Sequence, residues 1–192
     1  MSSNIELALA LASGIVVAAA CGLRAFLPLL AIGLGARFFG LPLQPALQWL
    51  KGDLSLVTLG TATVLEIAGD KVPAVDHALD VVATFLRPAT AAIAAYGLLV
   101  HWPSPWAQIL AVVLGGSALA LHAVKANTRV GSSVLSFGLV NPLLSIAEDV
   151  LSAALVAIAF LAPILVALLL LLVFVMFTRR RSRGMPPARA ER

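Results

Sequence analysis

Residues Val150–Phe177 run for 28 positions without a single charge. As a helix at 1.5 Å per residue such a run reaches about 42 Å. That exceeds the roughly 30 Å hydrocarbon core of a bilayer, so it spans with tilt, and Pro163 is expected to kink it. Unpaired backbone groups cannot face lipid, which leaves the helix as the conformation open to it. Further apolar runs follow the same logic: Ile5–Ala20, read as a retained helix and not a signal peptide, Leu54–Gly69, Ala89–Val100 and Trp106–His122. The whole chain is 61% hydrophobic and 11% charged, with a mean hydropathy of +1.03. No alternating strand pattern of the kind a β-barrel needs is present. The expected fold is all-α and polytopic, with about five to seven membrane segments in one helical domain over 1–178. A basic, disordered tail is expected over 179–192.

Net charge supports topology and excludes nucleic acid. The tail Arg179–Arg192 holds six Arg and one Glu, a net of +5, against +4 for the whole chain. The body is therefore at −1. A cationic cluster directly after an apolar run marks the cytoplasmic side, so the C-terminus is expected in the cytoplasm, against anionic lipid. Cys21 is the single cysteine, which rules out a disulfide within the chain and a cysteine-based metal cluster.

Two stretches do not fit full membrane helices. The apolar part of CGLRAFLPLLAIGLGARFFG, Ala25–Ala36, is too short to span, is bounded by Arg24 and Arg37, and contains Pro28. Val130–Ala147 is rich in Gly and Ser and is interrupted at Asn141-Pro142. Both are expected to be broken or re-entrant. Each follows an Arg, Arg24 or Arg129, and each precedes carboxylates, which suggests an inverted pseudo-repeat. Paired broken segments of this kind point to a transport site. Leu41–Asp53, with Trp49 and Lys51, is expected to be an interfacial loop.

Between the apolar runs lies TVLEIAGDKVPAVDHALDVVATFLRP, residues 63–88, with half of the acidic residues outside the tail. Thr63, Glu66 and Asp70 fall three and four apart, on one helical face. Pro73 suits the first turn of a new helix, along which Asp76, Asp80, Thr84 and Arg87 form a second polar face. With Glu148 and Asp149 these carboxylates are candidates for proton or cation coupling, and a metal in their place stays open. The plain alternative is that they pair with Lys71, Arg87, Lys125 and Arg129 to close the fold; Arg87 and Lys71 are the structural ion-pair candidates. Arg24, Lys125, Arg129, Ser133 and Asn141 adjoin the broken segments. There, Arg and unpaired N–H groups suit a phosphate or carboxylate, although such cations also mark membrane boundaries. His77, His101 and His122 are scattered. No catalytic triad order, phosphate loop, dinucleotide fingerprint or HExxH motif occurs, and no cofactor is expected.

The order Gly22-Leu-Arg-Ala-Phe-Leu-Pro28, Glu66, Pro73-Ala-Val-Asp76-His-Ala-Leu-Asp80, Arg87-Pro88, Arg129, Asn141-Pro142 and Glu148 resembles a bacterial integral-membrane family, domain of unknown function 4126. The likeness spans about Ile5 to Phe177 and implies a small multi-helix protein of the inner membrane, with no reaction attached. In style, the Arg-bearing segments are also similar to polyprenyl-phosphate translocases and to membrane undecaprenyl-diphosphate phosphatases. Gly22–Pro28 lacks the glutamates of the latter, and Thr128–Ser133 matches their Arg/Ser motif only loosely.

Three functions remain open on this basis. One is a transporter or lipid translocase for an anionic substrate, such as a phosphorylated lipid. Another is an intramembrane enzyme acting on a polyprenyl phosphate or diphosphate. The third is a structural or partner-binding membrane subunit. Transport is the favoured one. Membrane lipids are the expected partners, and a homo-oligomer is compatible with the sequence.

Overall fold

The computed structural model describes the backbone of residues 3–71, 73–136 and 140–183. Side chains are described except at 73–80, 129–130, 132–136, 162–171, 173–175 and 177–183. The expected site residues Asp76, Asp80, Arg129 and Ser133 lie outside the described side chains. Two units are delimited, Met1–Phe160 and Leu161–Arg192, and the packing and the site described below belong to the first.

The described backbone is helical, with no strand. Helix α1 is Asn4–Leu23, α2 is Leu27–Phe38, a 3-10 turn occupies Pro45–Lys51, α3 is Asp53–Gly69, α4 is Pro73–Leu98, α5 is Trp106–Ser136 and α6 is Asn141–Arg183. Among the described residues, four helices are long and apolar enough to cross a membrane: Asn4–Leu23, Val81–Leu98, Trp106–Thr128 and Asn141–Leu161. Helix α3 has 17 residues and α2 has 12, about 26 Å and 18 Å of helix.

Local chemistry explains the starts and stops. Ser3 and Glu6 form a capping box on α1: Glu6 N–H donates to Ser3 Oγ at 3.2 Å and Ser3 N–H to Glu6 Oε2 at 2.9 Å. Pro73 opens α4, as its missing N–H allows. Pro88 sits inside α4, where membrane helices tolerate proline because neighbours absorb the defect.

Helices α1, α4 and α5 pack on one another, and α2 packs on α3 and the 3-10 turn. Small residues set the closest approaches. A Cβ on Gly115 would stand 2.6 Å from the Pro88 carbonyl oxygen, so α5 crosses α4 backbone to backbone there. A Cβ on Gly22 would stand 2.8 Å from Leu121 Cβ, which brings α1 equally close to α5. Val17, Ala18, Cys21, Leu29, Ile32, Ala91, Ala94 and Ala118 fill the space between. Serines tie α6 to α1: Ser152 Oγ donates to the Ala20 carbonyl at 3.2 Å, and Ser13 Oγ to the Ala159 carbonyl at 3.0 Å.

Two expectations need correction. Val130–Ala147 is not a short segment of its own: α5 continues to Ser136, and α6 starts at Asn141. Pro142 opens a helix instead of interrupting one, in the turn where its lack of an N–H costs least. Low propensity at Gly131 and the neighbouring serines is overridden by the length of the helix around them. The loop expected over Leu41–Asp53 contains the 3-10 turn Pro45–Lys51. Helix α6 is described to Arg183, and the rest of the expected tail lies outside the described residues.

Candidate functional site

The site grows from the break between α1 and α2. Arg24 has extended backbone (φ −133°, ψ 121°), ends α1 and carries a side chain with 0% exposure. A helix end leaves carbonyls without partners, and a helix start leaves N–H groups without partners. Members of both sets find partners elsewhere in the chain. Lys125 Nζ on α5 reaches the Leu23 carbonyl at 3.5 Å. Glu66 on α3 accepts Ala25 N–H at 2.8 Å and Phe26 N–H at 3.2 Å, one on each carboxylate oxygen. Phe26 offers no side-chain cap of its own, so Glu66 caps α2 from a neighbouring helix, where a negative charge also suits the helix dipole.

A buried ionic network is built on the same break. The Arg24 guanidinium pairs with Asp70 at Nη1. Its Nε stands 2.7 Å from Asp149 Oδ1, and its Nη2 stands 3.9 Å from Glu148 Oε2. Nη2 also donates to Ser145 Oγ at 2.9 Å and to the Ser145 carbonyl at 3.2 Å. Lys125 Nζ bridges the same acids, 2.9 Å from Glu148 Oε2 and 3.4 Å from Asp70 Oδ2. The network thus joins α1, α3, α5 and α6 through one cation from the break and one from α5. Desolvating such charges is costly, and good geometry with extra hydrogen bonds is what offsets it.

A second polar group lies alongside. Arg87 on α4, 1% exposed, contacts His122 Nδ1 on α5. A guanidinium can only donate, so Nδ1 accepts. On the other side of the ring Nε2 faces Thr84 Oγ1 at 3.2 Å. Between α2, α3 and α4 a cavity of about 200 Å³ is lined by Ala25, Phe26, Ala62, Leu65, Val82, Ala83 and Leu86, with Glu66, Asp70 and Arg87 as its charged members.

Of the residues singled out from the sequence, Arg24, Asp70, Lys125, Glu148 and Asp149 come together in the network, and Glu66 adjoins it. Thr63 is buried on the same α3 face, with Oγ1 on the Leu59 carbonyl at 2.7 Å. Asn141 is half-buried at the start of α6, one turn before Ser145. Lys71 lies apart: it is exposed at the end of α3, with Nζ on the Ile67 carbonyl at 3.2 Å. Sequence reasoning missed Ser145 and Ser152, and it left His122 unassigned. The spacing of Asn141, Ser145, Glu148, Asp149 and Ser152 on one α6 face was a signal that could have found the serines. No group of three or more metal-ligating side chains with metal-site geometry exists among the described residues.

The architecture defines a helical membrane protein with a buried ionic centre. A family model, Domain of unknown function (DUF4126), matches residues 11–182, and the chain belongs to that family. No curated protein and no solved structure matches the chain.

Proposed function

We propose that this chain is a small multi-pass transporter or lipid translocase of the bacterial inner membrane, with its C-terminus in the cytoplasm. In this proposal it moves an anionic substrate such as a phosphorylated lipid. The observation that supports it most is the fully buried Arg24, shared between carboxylates on α3 and α6 and flanked by Lys125. A guanidinium or ammonium can hold a resident carboxylate or a substrate anion. Protonating Asp70 or Glu148, or loading them with a cation, would free Arg24 and Lys125 to take the anion. Losing that proton would return the cations to their acids and expel the anion. Substrate and coupling ion would thus compete for the same two cations, which is the physical content of coupling. Helix α2 would act as the half-membrane segment, with its N-terminal N–H groups near the exchange. The inverted repeat would rest on the sequence echo of Arg24-Pro28 in Arg129-Pro142.

The test is flux in proteoliposomes. Glu148→Gln keeps shape and removes one charge from the Lys125 pair. The proposal expects folded protein with at least about tenfold lower uptake or flipping. Wild-type flux in that variant would count against it. One observation favours a fold-closing role instead: Glu66 and Lys125 satisfy the backbone at the α1–α2 break. In that case folded charge-neutral variants would carry undiminished flux.

A further inference from the structure

We propose that the cavity between α2, α3 and α4 is a lateral site for one hydrocarbon chain of a membrane lipid, taken by its chain and not by its headgroup. Three alanines make the hollow: Ala25 at the α1–α2 break, Ala62 on α3 and Ala83 on α4. Phe26, Leu65, Val82 and Leu86 complete an almost entirely apolar wall. Leu65 is 63% exposed and Val82 51% exposed, and Val64, Val81 and Phe85 beside them are exposed as well. Val82 belongs to the membrane-crossing part of α4. Exposed apolar surface on such a segment is covered by acyl chains, so the mouth opens to lipid. Along α4, Val82 to Arg87 lie about 16–24 Å of helix from Leu98, where the crossing part ends. That is inside the roughly 30 Å hydrocarbon core, at the depth of the chains.

Chemistry narrows the occupant. Glu66, Asp70 and Arg87 also reach the cavity, but each is engaged within the protein. Glu66 accepts the N–H groups of Ala25 and Phe26, Asp70 pairs with Arg24 and Lys125, and Arg87 contacts His122. A headgroup would have to break such a contact or bury its charge against the apolar wall, and either is costly. Water needs two to four polar partners, and an apolar cavity of about 150 Å³ stays dry and takes benzene or xenon. At about 200 Å³ this one has room for several chain carbons. Lipid tails are as apolar as leucine, so no hydrophobic drive favours the hollow over the bilayer. What holds the chain is contact: an empty hollow forfeits the dispersion attraction of its lining, and a chain restores it. The seated chain also lies against Ala25, Phe26 and Glu66, and keeps water from the two hydrogen bonds that cap α2.

The site goes beyond the transport proposal and does not rest on it. Its test is photolabelling of the purified full-length protein in vesicles. The probes are phosphatidylcholine and phosphatidylglycerol, each with a diazirine at mid-chain, and the labelled residues are mapped by tandem mass spectrometry. The expected result is label on Ala25, Ala62, Ala83 or Leu86 inside the hollow, as well as on the outward Val64, Val81 and Phe85, with both headgroups. Ala62→Phe fills the hollow without touching a charge. It should abolish the inner label and keep the outer one. Outer label alone in the wild-type protein overturns the site, and so does inner label with only one headgroup. Undiminished inner label in a folded Ala62→Phe overturns it too. The wild-type map needs no variant, so it decides the matter even where Ala62→Phe does not fold. Inner label without flux would leave the site standing and remove transport; flux without inner label would do the reverse.

Discussion

Asp70 is the residue on which two buried cations converge, Arg24 directly and Lys125 at 3.4 Å. Removing one member of a buried ion pair leaves a charge in a medium that cannot solvate it, at a cost of about 3–5 kcal/mol. Asp70→Asn should therefore lower the unfolding free energy in detergent by about that amount, measured by denaturant titration; a change under about 1 kcal/mol would mean that water reaches the cations. Glu66 should behave differently. Its work is to accept two N–H groups, and Gln can still accept one through its carbonyl oxygen. Glu66→Ala should cost about 1–3 kcal/mol and Glu66→Gln clearly less. Equal losses in the two variants would show that the charge, not the cap, is what matters. The Glu66–Asp70 face was legible in the sequence because four residues along a helix return a side chain to the same side. The partners were not legible. Arg24 meets Ser145 across 121 positions of chain, and only the docking of α1 on α6 decides such a meeting.

Among the helices, α4 and α5 cross backbone to backbone at Gly115 against the Pro88 carbonyl. Any side chain at 115 must push the two helices apart. Gly115→Val should destabilise the fold by about 1–3 kcal/mol, the range of overpacked sites, read as a fall in the thermal unfolding midpoint. Gly116→Val is the control, since nothing stands within 4 Å of its Cβ position. It should change the midpoint little. From the sequence, Gly115, Gly116 and Ser117 look alike as small residues. Which of them faces a neighbour depends on the rotation of α5 in the bundle. The same limit explains why Val130–Ala147 reads as one segment although its two sides belong to α5 and α6. Gly, Ser and Pro composition reports what a segment tolerates, and Pro142 is equally at home before a break or at the start of α6. At Arg24 the break between α1 and α2 was legible because a charge, a following proline and a short apolar run coincide within a few residues.

At the scale of the molecule, four helices among the described residues are long and apolar enough to cross a membrane, and a buried ionic network joins α1, α3, α5 and α6. A bundle held together only by apolar packing has no need of such charges, and a static clamp needs them paired but unchanging. The transport account needs them to trade partners. Replacing both Lys125 and Glu148, 2.9 Å apart, by Gln removes a pair together, while Asp70 and Arg24 keep each other as partners. Such paired removals are often close to neutral for stability. The decisive measurement is lipid flipping or anion uptake by the Lys125→Gln, Glu148→Gln double variant in proteoliposomes, alongside its unfolding curve. Partner exchange predicts a wild-type unfolding curve with flux reduced to that of protein-free vesicles. A stable double variant that carries wild-type flux would contradict it.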